Sequence, residues 1–136
     1  MIKYINVKSK ARNEFIDITD KIQEAVREEG ISSGTCYLYV PHTTAGITIN
    51  EGADTSVQRD IQGALTRLIP MEADYNHREG NADAHIKSTL VGVSQLVFID
   101  EGKLLLGTWQ SIYFCEFDGP RHRRVAIKIH NGVKES

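Results

Sequence analysis

Three histidines, His42, His77 and His85, stand among glycine, asparagine and threonine in "PHTTAGITINEG" and "YNHREGNADAHIKSTLVG", away from plainly solvated strand faces. Three imidazoles suffice for a tetrahedral zinc ion with one open position, at which a bound water becomes acidic and a nearby carboxylate can orient or deprotonate it. The spacing supports this only weakly. There is no HExxH motif and no histidine pair at i,i+4, so the ligands would have to converge from a strand end, a loop and a helix. A lone histidine is more often a satisfied structural group than a ligand, because neutral imidazole both gives and takes hydrogen bonds.

Polar residues on the core-facing parity of a strand are costly unless they are paired or line a cavity. In "HTTAGITIN", His42, Thr44, Thr48 and Asn50 share one parity and Ala45, Ile47 and Ile49 the other. A solvent-facing strand and the wall of a site give the same alternation. In "TWQSIYFCEF", Gln110 and Glu116 fall on the parity of Ile112 and Phe114. In "RHRRVAIKIH", Arg121 and Arg123 align with Val125, Ile127 and Ile129, while His122, Arg124, Lys128 and His130 form a surface set. Arg121 and Arg123 offer planar donors to a carboxylate or phosphate. Glu116 could instead be their ion-pair partner across the "DGPR" turn, and that reading weighs more. Cys36 and Cys115 lie far apart in apolar runs without CxxC spacing, which reads as two buried free thiols; nothing in the sequence activates Cys115 as a nucleophile.

The elements that must position these residues are legible in outline. "IKYINVKS" and "EFIDIT", flanking the polar turn "KARN", predict an N-terminal hairpin. "TDKIQEAVREEG" predicts a helix with Asp20 and Gln23 as a capping box, an Ile22, Ala25 and Val26 stripe, and Gly30 as its stop. "GTCYLYV" is a strand with Cys36, Leu38 and Val40 on one face and Tyr37 and Tyr39 on the other. From about Asp54 to Leu68, Val57, Ile61, Ala64, Leu65 and Leu68 recur at helical spacing. A short helix follows, with Ala82, His85, Ile86 and Thr89 on one face, which turns His85 inward. "SQLVFID", "KLLLG", "TWQSIYFCEF" and "RRVAIKIH" read as strands.

With 136 residues, 40% hydrophobic and 25% charged, the chain has room for one core and one domain, 1–136, and not the composition of a disordered or membrane protein. A formal charge of -2 gives no bulk attraction to phosphate backbones, so no nucleic-acid partner is expected. Charges scattered through "MIKYINVKSKARNEF" argue against a secretory signal or a membrane span, and the expected location is the cytoplasm.

"PHTTAGITINE", "YNHREGNADAHIKSTLVG", "GTWQSIYFCEFDGPR" and "HRRVAI", in this order and at these distances, resemble the YjbQ family, also called UPF0047, whose members are described as secondary thiamine-phosphate synthases. The resemblance covers nearly the whole chain. It implies an α+β fold with a strongly curved, largely antiparallel sheet, two main helices and one short helix, assembled as a homotrimer with sites near subunit interfaces. It implies His42, His77 and His85 as metal ligands, with Zn2+ suited to an all-nitrogen set and another divalent ion as the alternative. Glu51 and Glu116 become candidate acid–base groups, Glu51 and Asn50 supporting His42 locally. Asn50, Asn81, Trp109, Gln110, Arg121 and Arg123 become candidate ligand-binding residues, with Trp109 either core or a stacking wall. The implied reaction joins a hydroxymethylpyrimidine diphosphate to a thiazole phosphate with loss of pyrophosphate. The sequence carries no aspartate-rich magnesium–diphosphate motif and no glycine-rich phosphate cradle. A metal-dependent hydrolysis or transfer on another small phosphorylated or heterocyclic metabolite therefore fits the residues as well. A non-catalytic trimer that holds a metal or small anion is the rival expectation.

Overall fold

In the computed structural model, which describes residues 1–132, the chain runs β1 (Ile2–Lys8), β2 (Glu14–Asp17), α1 (Thr19–Glu29), β3 (Ser33–Tyr39), β4 (Ala45–Glu51), α2 (Thr55–Leu68), α3 (Ala82–Val91), β5 (Ser94–Asp100), β6 (Lys103–Leu104), β7 (Gln110–Glu116) and β8 (His122–Asn131). The strands form a five-stranded sheet, β1-β8-β3-β5-β6, and a three-stranded sheet, β2-β7-β4. Every pairing is antiparallel. The α+β class, the curved antiparallel sheet and the three helices agree with the sequence reading.

The small sheet is the middle layer. One face meets the inner face of the large sheet and α1: Ile47, Ile112 and Phe114 pack with Leu38, Val97, Val125 and Ile127 and with Ile22 and Val26. The other face carries Tyr113, Cys115 and Phe117 against Ala84 of α3, with Leu65 of α2 and Val91 partly buried beside them. β7 is thus buried on both faces, which is why Ile112–Cys115 is an unbroken apolar run and not an alternating one. Each fully buried Ile or Phe here contributes roughly 1.5–3 kcal/mol by leaving water.

Three local expectations change. The N-terminal strands do not form a hairpin: β1 pairs with β8 and β2 with β7, so "KARN" is a crossover between sheets. Their apolar residues satisfy two different partners better than each other. The capping box is also replaced. Ile18 is fully buried and its N–H donates to Ile112 O at 2.9 Å. The first turn of α1 is held instead by the Asp17 carboxylate, which accepts from Thr19 N and Oγ1 at 2.9 and 2.7 Å. Gln23 accepts from Leu104 N and donates to Gly102 O. Gly30 ends the helix in the left-handed conformation, φ 66°, as its position suggested.

The third change concerns α3. Its buried residues are Ala82, Asp83, Ala84, Lys87 and Ser88, so the inward face is not the one through His85, and Ile86 is exposed. Polar residues can face inward because Lys87 Nζ lies 3.4 Å from Asp83 Oδ2 and 3.3 Å from Asn13 Oδ1, leaving neither charge unpaired. His85 sits at the half-buried edge of the helix. Gly46 admits the helix end: a Cβ there would lie 2.7 Å from Gly92 O, so α3 covers the even-numbered face of β4 at its start.

Candidate functional site

His42 lies on the irregular link between β3 and β4, and His85 on the half-buried edge of α3. Both line a cleft of about 650 Å³ together with Tyr39, Thr43, Ser88 and Thr89. His85 also borders a smaller hollow of about 380 Å³ whose wall includes His77, Tyr75 and Ile86. His85 therefore joins the other two histidines. Its ring stands edge-on to that of His77, centroids 5.2 Å apart at 80°. Two imidazoles sharing one tetrahedral zinc, each with Zn–N of about 2.0–2.1 Å, place their centroids about 5 Å apart. Edge-on packing of two rings without an ion gives the same separation. The triad within one chain does not fit an ion: among the described residues no three His, Cys, Asp or Glu side chains converge tightly enough to hold a metal.

The environment of His42 differs from that of the pair. Its Nε2 accepts the backbone N–H of Arg124 at 3.1 Å. Burial first, and then the neighbouring Arg123 guanidinium, hold its pKa below the ordinary imidazole value of 6.5, so the ring is neutral at pH 7.

Beneath the cleft is a buried ion pair. Glu116 is fully buried and Arg123 is 5% exposed. Arg123 Nε lies 2.9 Å from Glu116 Oε1, and its Nη2 reaches Thr44 Oγ1 at 2.8 Å. Ser9 Oγ donates to the same carboxylate at 2.7 Å and Asp118 N at 3.1 Å. Burial alone would raise the Glu116 pKa, but Arg123, Ser9 and the Asp118 amide outweigh it and hold it below the ordinary value. Glu116 is therefore no free acid–base group, and Arg123 is no free ligand donor. The ion pair that the sequence weighed against those roles is formed, with Arg123 and not Arg121. Arg121, exposed, turns to Asp118, donating from Nε to the Asp118 O at 2.8 Å and from Nη2 to its Oδ2 at 3.0 Å.

Asn81 stands just before α3 and connects the histidines to this network. Its Oδ1 is 2.9 Å from His77 Nε2 and its Nδ2 donates to Asp118 Oδ2 at 2.9 Å. Arg12, from the "KARN" crossover, contacts Asp83 Oδ1 at 2.8 Å, Gly80 O at 3.4 Å and Asp118 Oδ1 at 3.5 Å. The sequence reading passed over Arg12, Asp83, Lys87 and Asp118. Only the i,i+4 spacing of Asp83 and Lys87 could have flagged any of them.

The remaining candidates lie elsewhere. β4 pairs with β7 from Ala45↔Glu116 to Glu51↔Gln110, and seven strand residues span about 20 Å. Asn50, Glu51, Trp109 and Gln110 thus occupy the end of the small sheet opposite the histidines. Asn50 Oδ1 accepts from Glu51 N and Glu51 Oε2 from Ala53 N. Gln110 Oε1 accepts from Gly107 N, and Trp109 is 65% exposed, neither core nor, within one chain, a wall of the cleft. Asn50 and Glu51 are not local support for His42, because an extended strand carries them away from it. Cys36 and Cys115 are free and buried. Burial pushes the Cys36 thiol up to about 11 and raises Cys115 as well, which leaves both unreactive.

The fold is an α+β domain with a histidine pair beside a hydroxyl-lined cleft. The chain belongs to the UPF0047 YjbQ-like family, whose model matches residues 3–132. A UPF0047 protein of Methanocaldococcus jannaschii is 54% identical over 129 residues, 95% of this chain and 93% of that protein. UPF0047 protein YugU of Bacillus subtilis is 50% identical over 95% of this chain and 98% of its own length. The crystal structure of an uncharacterised conserved protein of the family from Clostridium acetobutylicum superposes with a TM-score of 0.92 at 52% identity, over 94% of this chain and 99% of that one.

Proposed function

We propose that the protein is a metal-assisted enzyme acting on a small phosphorylated or heterocyclic metabolite at the His42–His85 cleft, with thiamine-phosphate synthesis as the first reaction to assay. The observation that carries this reading is the edge-on approach of His77 and His85 at 5.2 Å, beside a cleft large enough for a metabolite. Their nitrogen donors suit Zn2+ before harder ions. Such an ion would supply a Lewis acid for a phosphoryl oxygen or an acidic bound water. Of the two candidate arginines, Arg121 is the exposed one, and a leaving pyrophosphate would have to draw it from Asp118.

Assembly as a homotrimer belongs to the same proposal. The outer face of the large sheet is apolar for an exposed surface: Ile2, Tyr4, Tyr37, Tyr39, Leu96 and Phe98 are all exposed, on neighbouring strands in register. Patches of this kind mark association surfaces. Tyr39 also lines the cleft, so an association there reaches the site, and a neighbouring copy is the source from which Glu51, Trp109 and Gln110 would meet the histidines. Among the described residues no helix is long and apolar enough to cross a membrane; a cytoplasmic location and the absence of membrane and nucleic-acid partners remain part of the proposal.

The rival reading, a non-catalytic trimer holding a metal or small anion, draws on two observations: Glu116 is committed to Arg123, and Glu51 lies a strand length from the histidines. Purified protein with stoichiometric zinc, lost in His85→Ala, and a turnover abolished by Glu51→Gln with zinc retained, would support the enzyme. Zinc and metabolite binding with no turnover in either protein would select the binding protein.

A further inference from the structure

The partners of His77 and His42 determine which ring nitrogen carries hydrogen, and they do so in opposite senses. An ionised aspartate only accepts hydrogen bonds, so Asn81 must present its NH2 to Asp118 Oδ2. That leaves Asn81 Oδ1 as the atom 2.9 Å from His77 Nε2. An amide oxygen also only accepts, so His77 Nε2 bears the hydrogen; Glu79 Oε2, 3.8 Å from the same nitrogen, is a second acceptor there. In the neutral ring the lone pair then lies on Nδ1. At His42 the Arg124 N–H donates to Nε2. That nitrogen holds the lone pair, and the hydrogen of the neutral ring lies on Nδ1.

We propose that the histidines are not equivalent. Asp118, acting through Asn81, is a positioning residue that leaves His77 Nδ1 as the electron-pair donor to a cation, whereas His42 offers an Nδ1–H to an anionic oxygen of the ligand. The cation half rests on the metal reading above; the tautomers do not. Arg12 makes the relay rigid by holding Gly80 O and Asp83, on either side of Asn81, while reaching Asp118 itself. The Asp118 side chain is 12% exposed, so little water competes for its oxygens. His42 is a donor that two neighbouring cleft hydroxyls do not duplicate. Ser88 Oγ and Thr89 Oγ1 spend their hydrogens on Ala45 O and His85 O.

The tautomers are read directly by two-bond 1H–15N correlation spectra of 15N-histidine protein at about pH 8, above the ordinary histidine pKa. His77 is expected as Nε2–H and His42 as Nδ1–H, the rarer form of free histidine. A His42 found as Nε2–H overturns the proposal. Zinc titration then separates the roles. His77→Ala is expected to lose zinc while His42→Ala and His42→Gln keep wild-type affinity, the second retaining an acceptor for Arg124 N–H as a control on folding. Loss in both His42 variants, with the fold intact by circular dichroism, overturns the assignment and restores a three-histidine site. Asp118→Ala should weaken zinc about 10- to 100-fold, the usual effect of removing the partner that orients a ligand. Asp118→Asn keeps an acceptor oxygen and drops the charge, so it should recover most of that loss. Equal losses in the two variants would mean that Asp118 matters only as an ion-pair partner. A wild-type protein that binds no zinc sinks the metal reading, while the spectra still decide the tautomers.

Discussion

The two ends of the small sheet have the same strands and opposite characters. At the Ala45–Glu116 end, the buried polar side chains of Ser9, Thr44, Glu116 and Arg123, from four segments of chain, are hydrogen-bonded to one another, and the Asp118 backbone N–H joins them. At the Glu51–Gln110 end, Asn50, Glu51 and Gln110 satisfy only nearby backbone N–H groups and face solvent. A site needs side chains whose positions are fixed before the ligand arrives. Only the first end offers that within one chain, and the histidines are there. The second end has what a rim or a contact surface needs: polar groups of modest cost and an exposed indole.

The largest effect expected from breaking this contrast is at the buried pair. Arg123→Ala strands the Glu116 charge in the core and should cost about 3–5 kcal/mol, the range for removing one partner of a buried ion pair. Chemical denaturation checks it. A loss under about 1 kcal/mol, the ceiling typical of exposed pairs, would mean that this end is no more organised than the other.

The same pair sets a pH dependence. Glu116 has a folded pKa below its ordinary value near 4.5, so the unfolded chain binds more protons there than the native one. The stabilisation is complete above the unfolded value and is lost as pH falls through it and then through the folded pKa. Unfolding free energies measured from neutral pH downward should decline in that window in the wild type. In Glu116→Gln that part of the decline should be missing; an identical decline would remove Glu116 as its source.

The residues at this end were unequally legible in the sequence. Strand parity placed Arg121 and Arg123 with Val125 and Ile127, because a period of two survives in β8 where one face is exposed, and the turn before it suggested Glu116 as partner to both, of which only Arg123 takes it. Parity failed at the start of β4, where α3 closes over the polar side and both faces are buried. It also failed at α3, whose inward face carries Asp83 and Lys87, because their partners Arg12 and Asn13 come from a turn some seventy positions earlier. Helical and strand periods report on one element at a time. The hairpin expected at the N-terminus failed for the same reason: β1 and β2 are chosen by β8 and β7, each about a hundred positions away or more. The histidine types were visible in the sequence. Their pairing, two together and one across the cleft, was not.

A smaller effect should follow from loosening the seam that sets the histidine end. Gly46→Ala places a Cβ 2.7 Å from Gly92 O and 3.2 Å from Val91 Cγ1. Backbone must move to accept it, and overpacking of this kind costs about 1–3 kcal/mol. Because Gly92 also lines the cleft, ligand or metal affinity should fall along with the melting temperature. Gly46→Ala with unchanged stability would show that α3 rides loosely on β4 and cannot be what positions His85.

The smallest effect on the isolated chain, and the most telling about the opposite end, belongs to Trp109. The residue is 65% exposed, and its contact with Gly52 N is through the backbone oxygen, which Trp109→Ala keeps. Stability of the dilute protein should change by less than about 0.5 kcal/mol, as for other surface positions. If the indole is covered by a neighbouring copy, the cost appears only where copies associate. Wild-type stability then rises with protein concentration, because association favours the folded state by mass action, while the variant's rises less. Sedimentation and thermal unfolding across a wide concentration range measure both. Parallel curves for the two proteins would leave Trp109 as solvent-facing surface and confine the working part of the molecule to the histidine end.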